Sequence, residues 1–230
     1  MNDASGQPPS LFPQYKSTVL RAPLSAAIDI APTLTEKTAP AGAWDRLMGP
    51  ALADLTTQHG GAAQGQRIIV AGTVLDEMAR PVPNTVVEIW QANAAGRYIH
   101  SLDRWDAPLD PNFTGVGRVI TDENGRYRFT TVRPGAYPWG NHHNAWRPAH
   151  IHLSLCGPSF VSRLITQMYF PDDPLIELDP IAQAVPAAWR GRLVSRFEID
   201  LTQPNWALGY RFDIVLRGPK ATPIEHNHAD

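Results

Sequence analysis

The sequence predicts an all-β fold, a sandwich or barrel of short strands, on three observations. Separate runs rich in β-branched and aromatic residues recur along the chain, 17 glycines and 22 prolines punctuate the spaces between them, and no stretch carries the apolar period of a long helix. With 230 residues and 43% hydrophobic content, the chain can bury a sizeable core as one all-β domain or two small ones.

The runs can be taken in order. "QRIIVAGTVLD" (66–76) and "NTVVEIWQAN" (84–93) are strand-like. "GRVITDENGRYRFTTV" (117–132) reads as a hairpin, because Asp122, Glu123, Asn124 and Gly125 separate two β-rich arms and Asn-Gly supplies the positive-φ positions of a tight turn. "AHIHLSL" (149–155) and "RLITQMYF" (163–170) follow. "GYRFDIVLRG" (209–218) reads as one strand with a wet face, Tyr210, Phe212, Ile214 and Leu216 alternating with Arg211, Asp213 and Arg217. The one persuasive helix is short, around "PIAQAVPAAWRG", where Pro186 interrupts an alanine-rich stretch. Before residue 66 the apolar residues show no period. Leu11, Phe12, Tyr15, Val19, Leu20, Ile28, Ile30 and Trp44 are too many for a solvated tail, so this segment reads as an arm packed on its own domain or on a partner.

Net charge is -2, 18% of residues are charged, and no Lys/Arg cluster forms a basic face, which argues against nucleic acid and anionic membranes and for a small-molecule or protein partner. "MNDASGQPPS" has neither a basic nor an apolar leader region, and no apolar run approaches the roughly 18 residues of a membrane helix, so a soluble, unexported, cytoplasmic protein is expected. The single cysteine, Cys156, excludes an intrachain disulfide and reads as an inert, buried small hydrophobe.

Chemistry points first to histidine. On a strand, Ala149, Ile151, Leu153 and Leu155 share one face while His150, His152, Ser154 and Cys156 share the other, with the imidazole Cβ atoms roughly 7 Å apart. That pair can hold one metal, or can lie on the wet side of a sheet. His226 and His228 repeat the spacing in the polar C-terminus, where a mobile tail is expected, and adjacent His142 and His143 suit a loop. No thiolate set or H-E-x-x-H motif accompanies His150 and His152, and the acidic residues nearby fall mainly in turns. Tyrosine is the remaining anionic donor: Tyr98 follows a strand and a glycine, and Tyr137 lies between two prolines. Each is a cavity residue or packing. Two imidazoles and two phenolates would suit a ferric ion better than zinc, since a phenol with its ordinary pKa of about 10 needs a strong local cation to ionise.

Longer blocks carry a resemblance. "GRYIHSLD", "APLDPNFTGVGRVITDENGRYRFTTVRPGAYPW", "WRPAHIH", "LITQMYFPDDPL" and "ALGYRFDIVLRG", with "QYKSTVLRAP" in the arm, resemble the intradiol ring-cleaving dioxygenases. The resemblance implies a β-sandwich of mainly antiparallel strands with short helices and a long irregular N-terminal arm: the arm over 1–65, packed on the core or a partner subunit, and the catalytic sandwich over 66–230. It implies non-haem Fe(III) held by Tyr98, Tyr137, His150 and His152, and cleavage of a catechol by O2 between its hydroxylated carbons. The blocks are nearest those of the iron-binding chains that turn protocatechuate into 3-carboxy-cis,cis-muconate in the β-ketoadipate pathway of aromatic catabolism. Those chains work in a hetero-oligomer with a homologous α chain.

The same resemblance assigns roles. Tyr137 is the ligand that departs as the catechol binds and accepts one of its protons. Arg147 meets negative charge developing on the substrate; a surface salt bridge is the lesser alternative. Gln167 orients oxygen. Tyr15, Trp139 and Ile181 contact the substrate, and Trp90 matches a pocket wall, although each is also good packing material. Gly140 departs from the pattern, standing where an arginine is expected in "YPWRN", and "HHNAW" follows it. These departures leave open another anionic catechol, such as 4-sulfocatechol. Two further alternatives are a prealbumin-like β-sandwich that binds without catalysis, and a zinc hydrolase, which the tyrosines and the lack of a carboxylate base disfavour.

Overall fold

A computed structural model of the chain describes residues 6–25, 28, 30, 31, 33, 51–157 and 163–225. The expectations for Trp44, His226 and His228 lie outside the described residues. The arm contains a short helix, α1 (Lys16–Arg21), which its aperiodic sequence did not suggest. The strands are β1 (Arg67–Leu75), β2 (Val86–Trp90), β3 (Val116–Ile120), β4 (Arg126–Val132), the two-residue β5 (Tyr137–Pro138) and β6 (Trp146–Arg147), β7 (His150–Cys156) and β8 (Leu164–Tyr169). Helices α2 (Pro180–Ala184) and α3 (Ala187–Arg190) flank Pro186 as expected, and β9 (Arg196–Phe197), β10 (Leu208–Arg211) and β11 (Ile214–Val215) follow.

Two sheets face each other. In the first, β1 pairs antiparallel with β4 and parallel with β10 and then β11, while β9 joins β10. In the second, the order is β3-β2-β7-β8, all antiparallel. The inward residues of the two form one core: Ile68, Val70, Phe129, Tyr210 and Ile214 meet Val87, Ile89, Ile151, Leu153, Leu155 and Met168. Residues 51–65 join it, with Leu52 bridged to Arg118, Asp54 to Thr130, and Leu55 fully buried.

Two sequence expectations are corrected. The turn at 122–125 forms, with Gly125 N–H donating to Asp122 O at 2.9 Å, but it does not make a hairpin. Its arms part: β3 pairs with β2 and β4 with β1, so the chain crosses from one sheet to the other. Turn chemistry sets the reversal and says nothing about which sheet each arm joins. The run 209–218 is likewise two strands, interrupted where Phe212 N–H donates to Ala71 O and Thr73 N–H to Asp213 Oδ1. Its alternation survives the break, with Tyr210, Phe212 and Ile214 buried and Asp213 exposed. Here β1 must be narrow. A Cβ on Gly72 would lie 1.8 Å from the Phe212 carbonyl oxygen, so Gly72→Ala is expected to cost at least about 2 kcal/mol in chemical denaturation.

The outer face of the second sheet positions the site. Alternation points Trp90, His150, His152, Gln167 and Tyr169 away from the sandwich core. An ordinary outer face would be wet, yet β7 is buried along almost all its length. The α2–α3 segment covers Tyr169 with Ala182, Val185 and Leu193, and the chain around Glu225 runs along β8 through the Glu225 N–H bond to Ile165 O. Farther along the same face the chemistry changes to a partly exposed Arg163–Glu88 pair that bonds the buried Ser154 hydroxyl. Cys156 is half-buried and burial pushes its thiol up, in keeping with an unreactive group.

Candidate metal centre

Three local devices bring the four expected donors to the site. His150 and His152 sit on one face of β7 because their spacing matches the strand period, and their ring centroids are 4.8 Å apart. Tyr137 is delivered by the β5–β6 ribbon, where it lies opposite Arg147. Tyr98 follows a tight loop in which Asn93 Oδ1 accepts from the N–H groups of Ala95 and Arg97, both at 2.9 Å. Gly96 has φ +80° there, and a Cβ on it would meet the Ala136 carbonyl at 2.2 Å, so only glycine lets the two tyrosine-bearing segments touch. The Tyr98 and Tyr137 rings meet edge to face at 5.4 Å. The Tyr137 hydroxyl lies 3.4 Å from His150 Nε2.

The hydrogen bonds of the imidazoles leave their Nε2 atoms for the site. His150 Nδ1 donates to the Pro148 carbonyl at 2.7 Å and His152 Nδ1 to Glu225 Oε2 at 2.8 Å, so in the neutral form of either ring the lone pair falls on Nε2. The Trp90 ring stacks on His152 with centroids 4.8 Å apart and the two planes nearly parallel. Burial, then the positive Arg147 and the neighbouring His152, hold His150 well below its ordinary pKa, which keeps it a neutral donor.

The phenols are costly as they stand. Burial pushes Tyr98 well above its ordinary pKa, reinforced by Tyr137, and pushes Tyr137 up against the opposing field of Arg147. The Tyr98 hydroxyl is buried and makes no hydrogen bond among the described residues. Such an orphan costs about 1–3 kcal/mol, a cost that a cation bound at the phenol would remove. Among the described residues no group of three His, Cys, Asp or Glu side chains could hold a metal, and the oxygen donors beside His150 and His152 are the phenols of Tyr98 and Tyr137. Two neutral imidazoles and two phenol oxygens fit a hard trivalent ion.

Beside the donors lies a buried polar network. The alternative of a surface salt bridge is wrong for Arg147: only 4% of its side chain is exposed and its partner, Asp179, is fully buried. Arg147 Nη2 lies 3.2 Å from Asp179 Oδ2 and donates to Gln167 Oε1 and, at 3.2 Å, to the Tyr169 hydroxyl. Asp179 also caps α2 by accepting from the Ile181 N–H. Burial works against the Arg147 charge, but Asp179, then Tyr137 and Tyr169, hold the guanidinium protonated. Gln167 lies opposite His152 in the register, and its Nε2 is buried with no hydrogen bond among the described residues.

The remaining expected residues gather around this centre. The Trp139 ring lies 5.5 Å from Arg147 Cζ and packs at 5.6 Å against Tyr15, which the Asn141 side chain ties down by accepting from Lys16 N–H and donating to Gln14 O, both at 2.8 Å. Ile181 lines a small cavity with Gln167, Tyr169 and Glu225. Gly140 is exposed with open space where a Cβ would stand, and His142 and His143 are exposed beside it. Sequence reasoning missed Asp179, Tyr169 and Glu225. An Asp-Pro helix start marks Asp179 in "ELDPIA"; no local signal marks the other two.

The chain is similar to known dioxygenases along most of its length. A family model described as "Dioxygenase" matches residues 42–218, and one described as "Protocatechuate 3,4-dioxygenase beta subunit N terminal" matches residues 2–33. The chain is 57% identical to the protocatechuate 3,4-dioxygenase beta chain of Burkholderia cepacia over 97% of its own length and 95% of the relative's. It is 30% identical to the alpha chain from the same organism, over 70% of this chain and 77% of that one. The solved structure of hydroxyquinol 1,2-dioxygenase from Pseudomonas putida DLL-E4 has the same fold, at TM-score 0.56 and 21% identity, covering 91% of this chain and 71% of the other.

Proposed function

Because the chain belongs to the intradiol ring-cleaving dioxygenase family, we propose that it cleaves protocatechuate with O2 between the two hydroxylated carbons to give 3-carboxy-cis,cis-muconate. The observation that carries the substrate is the 57% identity over nearly the whole chain to a protocatechuate 3,4-dioxygenase beta chain. The donor set supports a non-haem ferric centre held by Tyr98, Tyr137, His150 and His152. When bound, the ion would supply Lewis acidity, taking the catechol as a dianion and activating its ring toward O2.

The chain's own groups account for the rest. Tyr137, opposite Arg147 and beside His150, is the proton acceptor for a substrate hydroxyl. Arg147 brings a fixed positive charge to the phenols and the developing substrate charge, and Asp179 holds it in one orientation. Gln167, opposite His152 on β8 and beside Glu225, is the group that orients oxygen. Trp139, Tyr15 and Ile181 form the walls that exclude water and meet the ring.

The division into an arm, 1–65, and a catalytic sandwich, 66–230, belongs to the same reading. The arm docks through Tyr15 and residues 51–65, and its exposed Leu20, Leu24, Ile28 and Ile30 are an apolar surface suited to a homologous α chain in a hetero-oligomer. Among the described residues no helix is long and apolar enough to cross a membrane. A cytoplasmic role in aromatic catabolism through the β-ketoadipate pathway goes with the protocatechuate reading. The open space at Gly140 favours a second reading for the ring substituent, another anionic catechol such as 4-sulfocatechol.

Oxygen uptake with a panel of substituted catechols tests the proposal. Protocatechuate should be the fastest substrate and give the muconate; a semialdehyde product would sink the intradiol reading, and a faster sulfonated catechol would move the assignment to the second substrate. Tyr137→Phe should slow turnover about 100-fold or more and shift the visible absorption of the iron-loaded protein. Unchanged turnover would remove Tyr137 from its role.

A further inference from the structure

His150 and His152 are equivalent in sequence and differently supported in space. The Nδ1 of His150 is satisfied two residues away by the Pro148 carbonyl, a contact that β7 and its entry make by themselves. His152 has no such local acceptor. Its Nδ1 partner is Glu225, 73 residues on, at 2.8 Å. Both side chains are largely withdrawn from water, 9% exposed for His152 and 14% for Glu225.

The segment that carries Glu225 is held at several points. Thr222 N–H donates to Val215 O at 2.9 Å, and Thr222 Oγ1 accepts from Val215 N–H at 3.0 Å. Thr166 Oγ1 donates to Pro223 O, and Glu225 N–H to Ile165 O, both at 2.7 Å. The N-terminus closes the clamp, because Gln7 Oε1 accepts from Ile224 N–H at 2.7 Å while Gln7 Nε2 lies 3.5 Å from Thr222 O. This anchoring leaves the Glu225 carboxylate little freedom. An ionised carboxylate only accepts hydrogen bonds, so one fixed at Nδ1 selects the Nδ1–H tautomer and directs the Nε2 lone pair away from itself.

We propose that residues 221–225 form a strap that belongs to the site, and that Glu225 is a positioning residue that sets the tautomer and ring orientation of His152. The assignment rests on the ferric reading given above. Without Glu225 the imidazole can turn its proton toward the donor cluster, and each such molecule has three donors in place of four. Trp90 stacking still fixes the ring plane, so the loss falls on the proton.

The test compares wild type, Glu225→Ala and Glu225→Gln, loaded with ferric iron, for release of iron to a chelator and for the visible absorption band. Outer-sphere partners of metal-bound histidines are typically worth about 10- to 100-fold in metal affinity. Glu225→Ala should therefore lose iron at least about 10-fold faster, while Glu225→Gln, which keeps an acceptor at the same place, should stay nearer to wild type. Iron retention by Glu225→Ala equal to a coloured wild type would overturn the proposal alone. A colourless wild type that takes up no iron would overturn the ferric reading, and this proposal with it. Should Glu225→Ala fail to fold, ring-nitrogen NMR of the metal-free wild-type chain decides: His152 protonated at Nδ1 supports the assignment, and protonation at Nε2 refutes it.

Discussion

A Tyr98→Phe chain is expected to fold, to be as stable as wild type or more stable when metal-free, and to lose most of its hold on iron. The hydroxyl removed is buried and makes no close hydrogen bond among the described residues, so its loss relieves a poorly compensated desolvation of about 1–3 kcal/mol in the metal-free chain. The ring stays, and with it the edge-to-face contact with Tyr137. Chemical denaturation of the metal-free protein, together with iron content after dialysis, separates the two effects. A clear loss of metal-free stability would show that the hydroxyl has a structural partner, and iron content equal to wild type would exclude Tyr98 as a donor. Opposite signs for stability and metal retention are the signature of a residue kept for binding.

Replacing Asp179 with alanine is expected to be the most damaging change outside the donors, at about 3–5 kcal/mol. Arg147 would remain charged and buried with its strongest partner gone, and Tyr169 would lose the carboxylate 2.9 Å from its hydroxyl. The cap on α2 would disappear as well. Removing both charges together should cost much less, because a buried ion pair replaced by apolar groups of similar volume is often near neutral. Urea unfolding of Asp179→Ala and of the Arg147→Met/Asp179→Leu double variant provides the comparison. Should the single variant unfold within about 1 kcal/mol of wild type, the network does not hold this corner of the fold. Both variants should be inactive, since Arg147 and Gln167 share the network.

The strands were legible because their information is local. The runs at 66–76, 84–93, 149–155 and 163–170 each became one strand, and the period of two placed His150 and His152 on one face without reference to any other segment. The misread elements have a common cause. At 122–125 the residues specify a turn, but the destination of each arm is set by which sheet buries its apolar face. At 209–218 alternation reported burial correctly, while the break between β10 and β11 follows from how Asp213 and Phe212 bond to β1.

The centre divides in the same way. Residue types and the period of two by themselves put His150 and His152 on one face of β7, where they can share a metal, and the family resemblance set Tyr98 and Tyr137 beside them. Only the tertiary structure decided that the polar face of β7 is dry, that Arg147 is buried on Asp179, and that Glu225 meets His152 Nδ1. The reason is chain distance. A periodic face is repeated every two residues and leaves a trace in any short window, whereas a carboxylate meeting its partner 32 or 73 residues away leaves none until the sheets have closed.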